Sequence, residues 1–100
     1  VMGADGAGGL MRTKNAAAIN TAERRHLALV KSLPCSVCNA EGPSEAHHIK
    51  QGSHYLCVAV CVDCHRSPVL GWHGQKRAWA VRKMDELDAL GVTLARLQGG

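Results

Sequence analysis

The sequence predicts a small α+β domain in which a four-cysteine zinc site staples the core, flanked by an N-terminal helix and a long C-terminal helix. Three observations lead there. Cys35-x2-Cys38 and Cys61-x2-Cys64 form two knuckles with 22 residues between them. The run from Tyr55 to Val62 (YLCVAVCV) is apolar and rich in β-branched residues, as a buried strand requires. Stretches of helical period lie on either side of this cysteine-bounded middle.

In chain order, residues 1–20 are rich in Gly and Ala, carry Arg12 and Lys14 and hold no period; they read as a flexible basic arm or a cloning remnant, and residues 21–98 as the domain. Thr21 is a suitable N-cap, and Glu23 suits the positive end of the helix dipole. From Ala22 to Leu33, the residues Leu27, Val30 and Leu33 recur at helical spacing, with Ala28 and Leu29 widening the stripe. Pro34 ends this helix, because the residue before a proline disfavours the α conformation. Glu45 to Ile49 is a short extended segment and Lys50 to His54 a polar loop, followed by the strand over 55–62. Asp63-Cys64-His65 opens a helix, and Pro68 and Gly71 interrupt the chain again. The spacing then predicts one long helix from Gly74 to Leu90, with Ala80, Val81, Met84, Leu87 and Leu90 facing inward and Gly91 as the stop. The tail after Gly91 reads as one more helical turn or a short strand.

Composition explains why a staple is needed. Of the 46% hydrophobic residues in this chain of 100, fourteen are alanine and five are cysteine, and only Tyr55, Trp72 and Trp79 are aromatic. A short chain buries a modest share of its surface, and aromatics ordinarily carry much of that burial, so a metal or disulfides must add stability. No apolar run approaches the roughly 20 residues a membrane span needs. Residues 1–10 show neither a basic nor an apolar signal region, which points to a cytoplasmic chain with reduced thiols. Paired cysteines in that setting read as metal ligands. Residues 1–83 hold eleven Lys/Arg against five Asp/Glu, an excess of six positive charges that suits a polyanion such as DNA.

The two knuckles have the spacing of a closed, tetrahedral Zn(II) site made by Cys35, Cys38, Cys61 and Cys64. Such a site does no chemistry but contributes folding free energy on the order of 10 kcal/mol. Four thiolates and one Zn(II) lower the formal +4 to about +2. Cys57 is left over, mid-strand, and reads as a buried thiol. The six histidines are the chemical signal. His47 and His48 are neighbours on an extended segment and so face opposite ways: one is free to hold a metal while the other faces substrate. His65 is pinned by the second knuckle, and His73 follows in Gly71-Trp72-His73-Gly74. His47, His65 and His73 together make a candidate second, open metal site. Three neutral imidazoles suit Zn(II), Ni(II), Mn(II) or Co(II) better than Mg(II). His26, beside Arg24 and Arg25, reads as a solvated surface residue.

In this order, Cys35-x2-Cys38, Glu45-Ala46-His47-His48-Ile49, a strand and Cys61-x2-Cys64-His65 resemble the HNH endonucleases with the ββα-metal fold. More narrowly, residues 24–90 resemble the recombination-enhancement (Ref) nucleases of phages and prophages, through Ser44–Gly52 and Gly71-Trp72-His73-Gly74-Gln75. The resemblance implies a metal-dependent DNA endonuclease hydrolysing phosphodiester bonds. In it His48 is the general base, His47 and His65 hold a catalytic divalent ion (Mg, Mn, Ni or Zn), and His73 takes the last ligand place or contacts a phosphate. It also implies 5′-phosphate and 3′-hydroxyl products and, for the narrower likeness, work with a RecA filament in phage recombination. The chain departs from the pattern in one place: an Asn that commonly braces the loop carrying the base is absent from Gln51-Gly52-Ser53-His54, leaving His54 or Gln51 to substitute.

The DNA contacts expected are Lys76, Arg77, Arg82 and Lys83, which lie in eight residues without an acid, with Arg66 at the scissile phosphate and Lys50 beside the histidine pair. Nothing in the sequence reads base edges. The alternative is a non-catalytic, zinc-stapled DNA-binding or recombinase-docking module, which needs the cysteines and the basic stretch but not His47, His48 or His65.

Overall fold

The computed structural model describes residues 18–99; of the expected arm over 1–20, residues 1–17, with Arg12 and Lys14, lie outside the described residues. The element order is α1 (Thr21–Lys31), β1 (Glu45–His48), β2 (Cys57–Val60), α2 (Val62–Arg66), α3 (Arg77–Val81) and α4 (Glu86–Gly99). The described residues form a small α+β arrangement: one two-stranded antiparallel sheet and four helices, with four cysteines gathered near one another. No helix among the described residues is long and apolar enough to cross a membrane.

Helix α1 starts at the expected cap residue, Thr21, one position earlier than expected. Asn20, not Thr21, is the N-cap: its Oδ1 accepts from Glu23 N at 2.7 Å, and Glu23 Oε1 accepts from Asn20 N at 3.0 Å, a reciprocal capping box. Val30 is fully buried and Leu27 and Leu33 pack beside it, whereas Leu29, expected to widen the stripe, is 52% exposed. Strand β2 is shorter than the apolar run. Leu56 N donates to Ser53 O in the turn before it, and Cys61 leaves the sheet to cap α2, so Tyr55 and Leu56 end up exposed. All four β2 residues are buried because each face of the strand has a partner. Cys57 and Ala59 pack with Val30 and Leu97, while Val58 and Val60 pack with Val37 and Trp79. The period of two thus feeds two cores.

The single helix expected over 74–90 is two helices. Arg82 caps α3, Lys83 takes a left-handed φ of 54°, and a second start follows at Asp85 and Asp88. There Asp88 N donates to Asp85 Oδ1 and Asp85 N donates to Asp88 Oδ2, each at 2.9 Å. Two carboxylates satisfying N–H groups at a helix start outweigh continuation through the basic stretch. Gly91 consequently lies inside α4 rather than ending it, and the tail is helical to Gly99. The inward stripe changes too. Val81 and Leu87 are 78% and 69% exposed, and Ala89 and Thr93 are buried in their place. Thr93 Oγ1 sits at 2.8 Å from Ser36 Oγ, accepts from Ala59 N and donates to Ala89 O, which ties α4 to the sheet and the first knuckle.

Candidate metal centres

The first cluster is built by local backbone. Cys35-Ser36-Val37-Cys38 folds so that Val37 N and Cys38 N both point at Cys35 Sγ, at 3.4 Å. Asn39 closes the turn with φ 65°, a conformation Asn tolerates. At the second knuckle Cys61 Sγ caps α2 by accepting from Cys64 N at 3.4 Å. Cys38 Sγ and Cys61 Sγ are 3.7 Å apart, and the four sulfurs lie within 4.8 Å of one another. Burial raises the Cys61 and Cys64 thiols; at Cys35 the N–H groups aimed at its sulfur outweigh burial and draw it down to about 7. Brought together as thiolates, the four sulfurs would need a cation between them, as a tetrahedral Zn(II) supplies. Arg96 of α4 fastens the knuckle from outside, donating to the Pro34 and Cys35 carbonyls at 3.2 Å and to Asn39 Oδ1 at 2.8 Å. Cys57 stands apart from the four, buried, its thiol donating to His54 O and pushed up to about 11 by burial.

The second cluster is built across the chain. His47 comes from β1 and is 4% exposed, and His65 comes from α2. His73 is delivered by the loop after α2, which doubles back closely: Trp72 N donates to Cys64 O at 2.9 Å and His73 N to His65 O at 3.2 Å. Gly71 permits this approach, because a Cβ there would lie 2.7–2.8 Å from the backbone of His65, Arg66 and Ser67. Trp79 anchors the same loop, donating from Nε1 to Cys64 O at 2.7 Å and meeting Trp72 edge-on at 4.8 Å. The three imidazole centroids form a nearly equilateral triangle of 5.0–5.1 Å sides, and one ring nitrogen of each lies within 4.8 Å of the others. Four cysteines and three histidines are therefore positioned to bind metal. The donor set of the second group, three imidazoles, fits a borderline divalent ion. Burial foremost holds His47 below the ordinary histidine pKa, in the neutral form a ligand needs.

His48 faces away from this triangle. Its Nε2 is 3.1 Å from His54 Nδ1. Burial, then the neighbouring charges of His54, His47 and Lys31, lower its pKa, which keeps it neutral and proton-accepting near pH 7. Of the two residues expected as a brace, His54 is thus the one that meets His48, while Gln51 is exposed. His26 differs from its surface reading: its ring packs 4.9 Å from Tyr55, and its Nε2 is buried without a hydrogen-bond partner.

The expected DNA contacts are scattered. Arg66 is committed to Glu45, donating from Nε to Oε1 at 3.0 Å and from a terminal nitrogen to Oε2 at 2.5 Å. The 76–83 stretch is not one helix face. Lys76 lies over the Trp72 ring at 4.2 Å, Arg77 and Arg82 line an apolar groove of about 700 Å³ beside the second knuckle, and Lys83 sits in the break between helices. Lys50 is exposed beyond β1.

Sequence reasoning missed the carboxylates. Glu45 Oε1 accepts from His65 Nδ1 at 2.7 Å, and Glu86 Oε2 lies 2.5 Å from His47 Nε2. Its hydrogen bonds to His65 and Arg66 hold Glu45 below the usual carboxylate range. Glu45 was legible as the residue two before the histidine pair. Glu86 was visible only to a reading that placed a helix start at Asp85-x-x-Asp88. No family model, no curated protein and no solved structure matches the chain.

Proposed function

We propose that this chain is a metal-dependent DNA endonuclease of the HNH class, with a ββα-metal core formed by β1, β2 and α2 and a structural Zn(II) on Cys35, Cys38, Cys61 and Cys64. The observation that carries the reading is the convergence of His47, His65 and His73, which are distant in sequence, while His48, next to His47, lies outside that triangle, paired with His54 and held neutral by burial. In this reading His47, His65 and His73 hold a divalent ion, which supplies Lewis-acid stabilisation of the leaving 3′-oxygen and of the charge developing on phosphorus. His48 takes the proton from the attacking water. In this reading His48 donates its Nε2–H to His54 Nδ1, 3.1 Å away, which leaves the lone pair on Nδ1 as the accepting site and puts His54 in the bracing place. Zinc on the cysteines fixes the start of α2 and with it His65. Nicking of supercoiled plasmid in Mg(II), Mn(II), Ni(II) and Co(II), with His48→Ala alongside, tests the proposal. Loss of nicking on that substitution supports it, and nicking that persists unchanged in every ion removes His48 as the base.

One observation favours a second reading, a zinc-stapled module that docks on a recombinase filament without cutting. The groove beside the second knuckle presents Val62, Leu70 and Val81 to solvent, exposed by 53%, 40% and 78%, with Arg77 and Arg82 among its lining residues. Metal content separates the readings. The module needs one zinc per chain, and the enzyme needs a second, exchangeable ion.

A further inference from the structure

We propose that Glu86 and Glu45 are positioning residues that select the metal-binding nitrogens of His47 and His65, which then coordinate through opposite nitrogens, Nδ1 of His47 and Nε2 of His65. The inference rests on the second ion of the reading above and concerns residues to which that reading gives no role. An ionised carboxylate only accepts hydrogen bonds. The imidazole nitrogen facing it must therefore carry the hydrogen, and the other nitrogen keeps the lone pair. Glu86 Oε2 meets His47 at Nε2, at 2.5 Å, which frees Nδ1. Glu45 Oε1 meets His65 at Nδ1, at 2.7 Å, which frees Nε2. Arg66 forks onto both oxygens of Glu45, so that carboxylate is fixed in place. Glu86 is fixed by its helix start, the paired caps of Asp85 and Asp88. The pairs span 39 and 20 residues, so they are products of the tertiary fold rather than local accidents. Partners of this kind fix ring orientation and raise ligand basicity. Among the described hydrogen bonds His73 has no carboxylate partner, so it is the unbraced ligand of the three.

The test uses the zinc-loaded chain and Co(II) as the probe, followed by its visible absorption bands. Glu86→Gln and Glu45→Gln should each weaken Co(II) binding about 10-fold, and Glu86→Ala by up to about 100-fold, with one zinc per chain retained. Long-range proton–nitrogen spectra of His47 should show hydrogen on Nε2 in the wild type and a mixture of tautomers in Glu86→Gln, a change that a purely structural role for Glu86 does not produce. Zinc content and thermal melting identify any variant that fails to fold, and the Gln variants carry the test if Glu86→Ala is one of them. Wild-type Co(II) affinity in the Gln variants, or an unchanged His47 tautomer, overturns the proposal; so does a wild-type chain that takes up no second ion. A chain that shows the predicted losses but never nicks DNA upholds the positioning roles and removes the nuclease reading alone.

Discussion

The two metal clusters are assembled by opposite means. Each cysteine pair is organised by its own knuckle, with N–H groups two or three residues away pointing at Cys35 and Cys61. The histidine triangle draws on β1, α2 and a doubled-back loop, and two of its members are oriented by carboxylates 20 and 39 residues away. The first cluster is the more buried, with Cys35 fully enclosed and Cys64 2% exposed, whereas His73 lies open to solvent. In the proposed reading the closed cysteine site serves stability, and the more open histidine site serves exchange and chemistry.

This contrast can be broken experimentally, beginning with the largest effect. Cys64→Ser should abolish zinc binding and leave the chain largely unfolded, since the lost metal contributes on the order of 10 kcal/mol; zinc analysis and a circular dichroism melt check it. His48→Ala should lower plasmid nicking by about 10²–10⁴-fold with the second ion still bound and the melt nearly unchanged, placing the defect in proton transfer. Thr93→Val should cost about 1–3 kcal/mol in denaturant unfolding, because the buried Ser36 hydroxyl and Ala59 N–H lose a shared partner, with zinc retained. The smallest effect is in pH. His48 is depressed from 6.5, so it stays deprotonated below that value. The acid limb of nicking should therefore fall under pH 6.5, and a midpoint above 6.5 contradicts the assignment.

The same contrast explains what was legible in the residues. The cysteine spacing was readable because knuckle geometry is local, and the three histidine ligands were readable as types in an order. Their braces were not. Glu86 meets His47 only because the chain breaks at 82–85, and helical periodicity read straight through that break, since Lys83 and Met84 are good helix formers and Leu87 and Leu90 continue the stripe. The deciding signal was a pair of aspartates three apart, which reads as surface charge unless it is recognised as a cap. Arg66 was read as a phosphate contact because its partner, Glu45, lies 21 residues away on a strand whose pairing the sequence leaves open.

Helix α4 carries a consequence for how the chain can change in length. Within 14 residues it presents Glu86 to His47, Thr93 to Ser36 and Ala59, and Arg96 to the first knuckle. At 3.6 residues per turn, one residue inserted between Glu86 and Thr93 would swing one end about 100° against the other, so α4 cannot keep both engagements. Among the described residues, the turn at 51–53 makes only local backbone bonds, Ser53 N to Lys50 O and Leu56 N to Ser53 O, and Gly52 there has open space around it. Length variants should therefore be accepted in that turn and rejected between residues 86 and 96, where the helix works as a ruler with both ends already assigned.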